Sequence, residues 1–169
     1  DDPPYLELLD DRWGDLCATP EIASRWADRL IDPVRRIHAE RRRGQHAFTR
    51  SESVCYSALF AAGRHDELIA LIGGDPRPMW HDLLWVGHCK VARGQIDEAI
   101  AFMTNAVNAW TPVAGLAHFA ESVLLQAGRR TEAYEKVALE ANRGTTYLAT
   151  FRLIAGKYPE IDPDRLLAD

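Results

Sequence analysis

A short turn phrase occurs three times in the chain: a glycine, a glutamate four residues later, then a small or apolar residue. The copies run from Gly63 to Leu68, from Gly94 to Ala99 and from Gly128 to Ala133, at intervals of 31 and 34 residues. Each copy lies between two stretches with helical periodicity, so each predicts a helix hairpin with glycine in the turn. Recurrence about every 34 residues is typical of helical solenoids. The sequence therefore predicts an all-α fold, a right-handed α-solenoid of about three antiparallel helix pairs.

Capping signals and helix breakers define the individual helices. Thr19 before Pro20 predicts a helix start, and Asp32-Pro33 either restarts that helix or kinks one long helix that ends at Gly44. Gly14 is expected to interrupt the helical pattern near the beginning. Thr49 and Glu52 form a predicted capping box, and no strand pattern is found. The later helices are predicted at 50–62, 65–72, 79–93, 96–109, 112–127, 130–143 and 146–157.

We expect one continuous domain. Residues 1–48 form an N-terminal helical extension packed on the repeats, 49–143 the three helix pairs, and 144–169 C-terminal capping helices. The missing initial methionine and the short final helix signal suggest a piece of a longer protein.

The net charge of −5 and the pI near 5.7 make nucleic acid an unlikely partner and argue against an anionic membrane surface, because both are bound chiefly through excess Lys and Arg. No apolar run is long enough to span a bilayer. Three widely spaced cysteines, Cys17, Cys55 and Cys89, predict no disulfide framework. These features favour a cytoplasmic protein.

The second helix pair resembles a tetratricopeptide repeat. The similarity rests on Leu84, Gly87, Gly94, Ile96, Ala99, Phe102, Met103 and Ala106. Gly87 and Ala99 stand where that family has small residues at close helix crossings. The tail ALEANRGTTYLATFRLIAGKYP is also similar to uncharacterised bacterial helical-repeat proteins.

This resemblance implies a scaffold or adaptor that binds a protein or peptide of unknown identity on a concave face lined by the first helix of each pair. The Lys and Asn arrangement by which chaperone-docking members clamp a C-terminal carboxylate is missing. Self-association into a homodimer is compatible with the sequence. The predicted groove residues are Arg50, Ser53, Ser57, Phe60, His81, Leu84, His88, His118, Ser122 and Gln126.

The helix at 33–43 offers an alternative, a regulatory domain that contacts nucleic acid or a phosphorylated ligand. Residues 35–50 contain six arginines and only one acid, and the apolar stripe of Val34, Ile37 and Ala39 is thin. Residues 1–32 carry nine acids against three arginines, so pairing with that segment is the simpler account. The candidate anion-binding residues are Arg35, Arg36, Arg41, Arg42 and Arg43.

No enzyme, cofactor or metal site is predicted. Gly-x-Ser-x-Gly, a phosphate-binding glycine loop and His-Glu-x-x-His are all missing from the sequence, although the chain could be a non-catalytic segment of a larger enzyme. His81 and His88 are two helical turns apart, about 10.5 Å, which is too far for two ligands of one ion. Cys89 points about 100° away from His88 on the helix, so a buried thiol and a groove histidine are predicted in place of a metal site that could also draw on His118 and Cys55.

Overall fold

The computed structural model of the chain describes residues 7–109, 111, 112, 114–162 and 164, with side chains from Leu9 onward. Within these residues the regular structure is helical and no strand occurs, which confirms the all-α class. The chain divides into two compact units, Asp1–Arg93 and Gly94–Asp169. The two helices of the predicted second pair therefore belong to different units.

Helix α4 is the central helix of the first unit. It packs against each of the five other helices of this unit, and its Cys55, Tyr56, Ala58 and Leu59 are almost completely buried. Contact on all sides explains why its middle is nearly uniformly apolar. The helices of this unit are α1 (Glu7–Asp10), α2 (Trp13–Leu16), α3 (Pro20–Arg42), α4 (Ser51–Ala61), α5 (His65–Gly73) and α6 (Trp80–Ala92).

Helix α3 begins at the predicted cap and is not restarted at Pro33. The Thr19 hydroxyl accepts a hydrogen bond from the Ile22 amide at 3.4 Å, and the helix continues as one element to Arg42, before Gly44 with a φ of 80°. Its buried face recurs every three or four residues and consists of Ala23, Ala27, Ile31, Val34 and His38. The predicted stripe shares only Val34 with this face.

Gly14 lies inside α2, so the predicted break at this residue is wrong. Its amide donates a hydrogen bond to Ser57 Oγ at 2.8 Å. A Cβ at this position would lie 2.7 Å from Ala61 Cβ and still closer to the Ser57 carbonyl oxygen. Glycine is therefore required here because α2 and α4 approach closely, and not because a turn is needed.

The second unit contains α7 (Ile96–Asn105), α8 (Gly115–Gln126), α9 (Arg130–Ala141) and α10 (Tyr147–Lys157). Thr146 caps α10 as a hydroxyl acceptor for the Ala149 amide at 3.1 Å. α8 starts at Gly115, later than predicted, and in the loop before it the Thr111 hydroxyl accepts a hydrogen bond from the Asn108 amide at 2.9 Å. One cluster of the core of this unit consists of Leu124, Ala133, Ala138, Ile154 and Tyr158.

The three repeated glycines adopt the left-handed conformation that their turns require. Gly63, Gly94 and Gly128 have φ angles of 70°, 75° and 74°. In the first and third copies the next residue is an arginine that binds the glutamate of the phrase, with Arg64 Nε 2.8 Å from Glu67 and Arg129 Nε 2.7 Å from Glu132. None of the described helices is both long and apolar enough to cross a bilayer.

Candidate functional site

The first unit contains a buried ion-pair network centred on Arg41. Its Nη1 and Nη2 atoms donate to the two carboxylate oxygens of Glu52 at 2.8 and 2.7 Å, and Nη1 also donates to Asp75. Its Nε donates to the Ala47 carbonyl at 2.9 Å. Burial opposes the charge of Arg41, yet the hydrogen bonds and negative charges of Glu52 and Asp75 raise its pKa. The predicted Glu52 capping box is therefore not formed, because this carboxylate faces Arg41.

His38 completes the network from inside the core. Its side chain is 2% exposed, and Nε2 lies 3.0 Å from Glu52 Oε1, 3.7 Å from Asp75 Oδ2 and 3.2 Å from the Tyr56 hydroxyl. Burial is the largest cause of the raised pKa of Tyr56, which keeps this hydroxyl protonated. Three elements thus supply one cluster: α3, α4 and the loop after α5.

His38, Glu52 and Asp75 are also the described residues whose ligand atoms could hold a metal ion, since these atoms lie within 4.8 Å of one another. Both carboxylates, however, already accept hydrogen bonds from Arg41. The guanidinium supplies the positive charge that two buried carboxylates require. The donor set therefore fits a salt-bridge network better than a metal centre.

The position of His38 and Arg41 follows from the helical period of α3. Both continue the buried series Ile31 and Val34 at steps of three or four residues, which places them on the face that packs against α4. The sequence does contain a signal for their burial, because a histidine and an arginine continue the apolar stripe of this helix. Arg41 was instead predicted as an anion-binding residue, and the network was not predicted.

Next to this network lies a surface cleft of about 730 Å³, within the size range of ligand-binding pockets. The α3–α4 loop (residues 43–50) and the α5–α6 loop (residues 74–79) contribute to its lining, together with the first turns of α4 and α6. It is lined by Asp10, Arg41, His46, Ala47, Phe48, Thr49, Arg50, Glu52, Ser53, Arg77, Met79, His81 and Asp82.

Arginines connect the two loops. Arg41 binds Ala47 in the α3–α4 loop and Asp75 in the α5–α6 loop. Arg42 donates to the Gly74 carbonyl, and Arg77 Nη2 donates to the Gln45 carbonyl at 3.4 Å. The arginine-rich end of α3 therefore shapes the cleft by holding its walls.

Asp82, one of the lining residues, caps the start of α6. Its Oδ2 accepts a hydrogen bond from the Met79 amide at 2.8 Å, and its Oδ1 lies 3.3 Å from His81 Nε2. Burial raises the pKa of Asp82, opposed by His81 and by the Met79 hydrogen bond.

The ten predicted groove residues are distributed over several environments. Arg50, Ser53 and His81 line the cleft. Phe60 packs on His65, Trp85 and His88 with ring centroids 5.1, 5.6 and 6.5 Å away, and burial lowers the pKa of His88. Ser57 is buried under α2, and Leu84 is half-buried. His118, Ser122 and Gln126 lie exposed on α8 of the second unit, where Gln126 donates to Ser122 at 3.4 Å.

The five candidate anion-binding arginines also separate into two groups. Arg41 is largely buried, whereas Arg35, Arg36, Arg42 and Arg43 are exposed. Of the exposed arginines, Arg42 donates to the Gly74 carbonyl, and Arg35 lies 3.4 Å from Asp32 and 3.9 Å from Glu67. The expected pairing of this helix with the acidic start is wrong for Arg41. Its carboxylate partners come from α4 and from the α5–α6 loop because these elements pack beside α3.

A second buried carboxylate, Glu121, lies in the second unit. Its Oε1 accepts from Asn142 and, at 2.9 Å, from the Tyr158 hydroxyl, while its Oε2 accepts from Lys157 Nζ at 2.6 Å. Burial is the largest cause of the raised pKa of Tyr158, which is reinforced by Glu121. These contacts join α8 to the ends of α9 and α10, so the cluster acts as a structural tie.

The fold and the site together define an all-α protein with a ligand-sized cleft in its first unit. Compared with protein-family models, with curated proteins and with solved structures, the chain gives no match.

Proposed function

We propose that this chain is a protein- or peptide-binding domain and that the cleft of the first unit is its recognition site. The observation that supports this proposal is the exposure of two large apolar side chains in the cleft lining. Phe48 is 80% exposed and Met79 is 55% exposed. Covering such side chains with a partner is favourable, at about 25 cal/mol per Å² of apolar surface.

The construction of the cleft also favours binding. Arg41, Arg42 and Arg77 hold the two loops through hydrogen bonds to backbone carbonyls and to Asp75. Walls fixed before binding lose little conformational freedom when a ligand enters. Three of the predicted groove residues, Arg50, Ser53 and His81, contribute to this surface.

The helix pairs α4–α5 and α8–α9, each turning at a left-handed glycine, support a tetratricopeptide-like arrangement. We propose a right-handed solenoid on this basis. In that arrangement, Leu84 and His88 would extend the binding face of the first unit beyond the cleft, and His118, Ser122 and Gln126 would be binding residues of the second unit, in a cytoplasmic scaffold or adaptor protein.

A phage-displayed random peptide library, selected against the purified protein, tests the proposal. We expect enriched peptides to bind in solution by calorimetry and to lose binding to Phe48→Asp and Met79→Asp. Tyr147→Asp is the matched control, because Tyr147 on α10 is 97% exposed and does not line the cleft. Selected peptides that bind all four proteins equally would remove the cleft as the recognition site.

A further inference from the structure

We propose that the cleft is selective for an acidic peptide segment, one in which an apolar side chain stands among side-chain carboxylates. This inference rests on the proposed peptide-binding function and adds the chemistry of the partner.

The most exposed ionisable side chains of the cleft lining are basic, namely His46, Arg50, Arg77 and His81, and the two arginines carry positive charge. Some of them also have contacts within the protein: Arg50 takes part in one, Arg77 donates to the Gln45 carbonyl, and His81 Nε2 lies 3.3 Å from Asp82 Oδ1. A guanidinium binds carboxylates through paired, charge-assisted hydrogen bonds, and a histidine can add a further donor. A carboxylate ligand therefore meets cationic or hydrogen-bonding groups at the mouth of the cleft.

The acids of the lining are placed differently. Glu52 is buried and bound at both oxygens by Arg41. Asp82 is buried and accepts a hydrogen bond from the Met79 amide, while Asp10, at the end of α1, is partly exposed. Because the two buried carboxylates already have internal partners, they repel the carboxylate of a ligand less than two unpaired carboxylates would.

The apolar requirement comes from the two loops. Phe48 belongs to the α3–α4 loop and Met79 to the α5–α6 loop, and both line the same cleft. An apolar ligand side chain in contact with them would be flanked by Arg50, two residues after Phe48, and by Arg77, two residues before Met79. Basic and apolar side chains therefore alternate in both loops of the lining, and this pattern matches a peptide in which acidic and apolar residues alternate.

A peptide fits these observations better than a nucleic acid. Single strands are held by a positive groove that follows many phosphates, together with aromatic stacking. Here the chain carries a net charge of −5, and Glu52 and Asp82 form part of the cleft. Such a site offers a few discrete cationic contacts and no continuous basic track.

Fluorescence anisotropy with three fluorescein-labelled probes tests the inference. The first is the C-terminally amidated peptide Gly-Glu-Asp-Leu-Phe-Asp-Glu-Gly, the second is its neutral analogue with Gln and Asn in place of Glu and Asp, and the third is an oligothymidylate. We expect the acidic peptide to bind at least about tenfold more tightly than the neutral one and to weaken as salt rises.

The double variant Arg50→Glu/Arg77→Glu should weaken acidic-peptide binding at least about tenfold. The control Arg25→Glu/Arg36→Glu makes the same charge change at exposed positions of α3 outside the lining and should leave binding unchanged. Helicity by circular dichroism confirms folding of both, and the salt dependence of the unmodified protein tests the charge requirement without any substitution.

The outcomes are distinguishable. Equal binding of the acidic and neutral peptides, lost on Phe48→Asp, would keep the peptide-binding function and overturn acid selectivity. Loss of binding in the α3 control but not in the cleft variant would also overturn the inference, as would oligothymidylate binding more tightly than either peptide. Failure of all peptides, including those selected from a library, would remove both proposals.

Discussion

The guanidinium of Arg41 binds both carboxylate oxygens of Glu52, at 2.8 and 2.7 Å, across the α3–α4 contact. The two side chains are only 13% and 10% exposed. Asp75 shares the same guanidinium, so two buried acids depend on a single arginine as their cationic partner. This geometry makes Arg41 the residue on which both the core of the first unit and the walls of the cleft depend.

Arg41→Ala should lower the free energy of unfolding by about 3–5 kcal/mol, because it leaves Glu52 and Asp75 buried without their cation. Urea unfolding followed by circular dichroism measures this loss. Arg36→Ala, an exposed arginine on the same helix, should stay within about 0.5 kcal/mol of the unmodified protein. Similar losses for the two variants would contradict the assigned network.

Gly14→Ala should destabilise the protein by about 1–3 kcal/mol, because the added methyl group overlaps Ala61 Cβ and the Ser57 carbonyl. Thermal unfolding checks the change. Gly73→Ala is the matched substitution: no heavy atom lies within 4 Å of its added Cβ, and alanine favours a helix. A Gly14→Ala protein as stable as Gly73→Ala would mean that α2 does not approach α4 so closely.

Glu121→Ala, in the second unit, should lower the free energy of unfolding by about 1–3 kcal/mol, because the buried Asn142 amide and Tyr158 hydroxyl lose their acceptor. Urea unfolding of the full chain measures it. The exposed pair Glu132–Lys136 offers the comparison, and Lys136→Met should change stability by less than about 0.5 kcal/mol. If Glu121→Ala behaves like Lys136→Met, the carboxylate is not a tie between helices.

Two of the three thiols should resist alkylation in the folded protein. Burial raises the pKa of Cys55 to about 12 and that of Cys89 to about 11, whereas Cys17 is partly exposed. Iodoacetamide at pH 9 should therefore modify Cys17 first, as peptide mass spectrometry would show, and all three in urea. Rapid native labelling of Cys55 would contradict its burial.

The same shifts make a prediction for stability at high pH. A raised folded-state pKa means that the folded chain favours the neutral thiol. The contribution of these two thiols to the free energy of unfolding is complete below the unfolded-state thiol pKa of about 8.5. It is lost as pH rises toward the folded-state values of about 11 to 12. Unfolding experiments between those limits should show decreasing stability, with a smaller decrease in Cys55→Ala.

Much of the secondary structure could be predicted, because helix caps and turns are local. Thr19, Thr146 and the repeated glycines each act within about one helical turn, and the structure confirms them. Pro33 shows the limit of such rules. The local signal allows either a restart or one continuous helix, and the buried face on both sides of Pro33 accompanies the continuous one.

The site could not be predicted in the same way, because its parts are distant in sequence. Glu52 carries a capping-box signal, but its carboxylate binds Arg41, eleven residues earlier, and this ion pair replaces the cap. From the sequence, Asp75 is predicted only to be a loop residue, and the fold then places it, just after α5, beside α3. The cleft is formed by residues of both loops, and the predicted site residues in its lining are Arg41, Arg50, Ser53 and His81.

The α5–α6 loop has a consequence for how a ligand would associate. Pro76 and Pro78 fix two φ angles, and Asp75 accepts hydrogen bonds from the Arg77 amide at 3.0 Å and from Arg41. This wall is therefore preorganised. Residues 45–50 form no helix, but Arg41 holds them through the Ala47 carbonyl and Arg77 through the Gln45 carbonyl. The entropy lost on binding should therefore come mainly from the ligand, so a ligand that is already rigid in its bound shape should bind more tightly without any new contact.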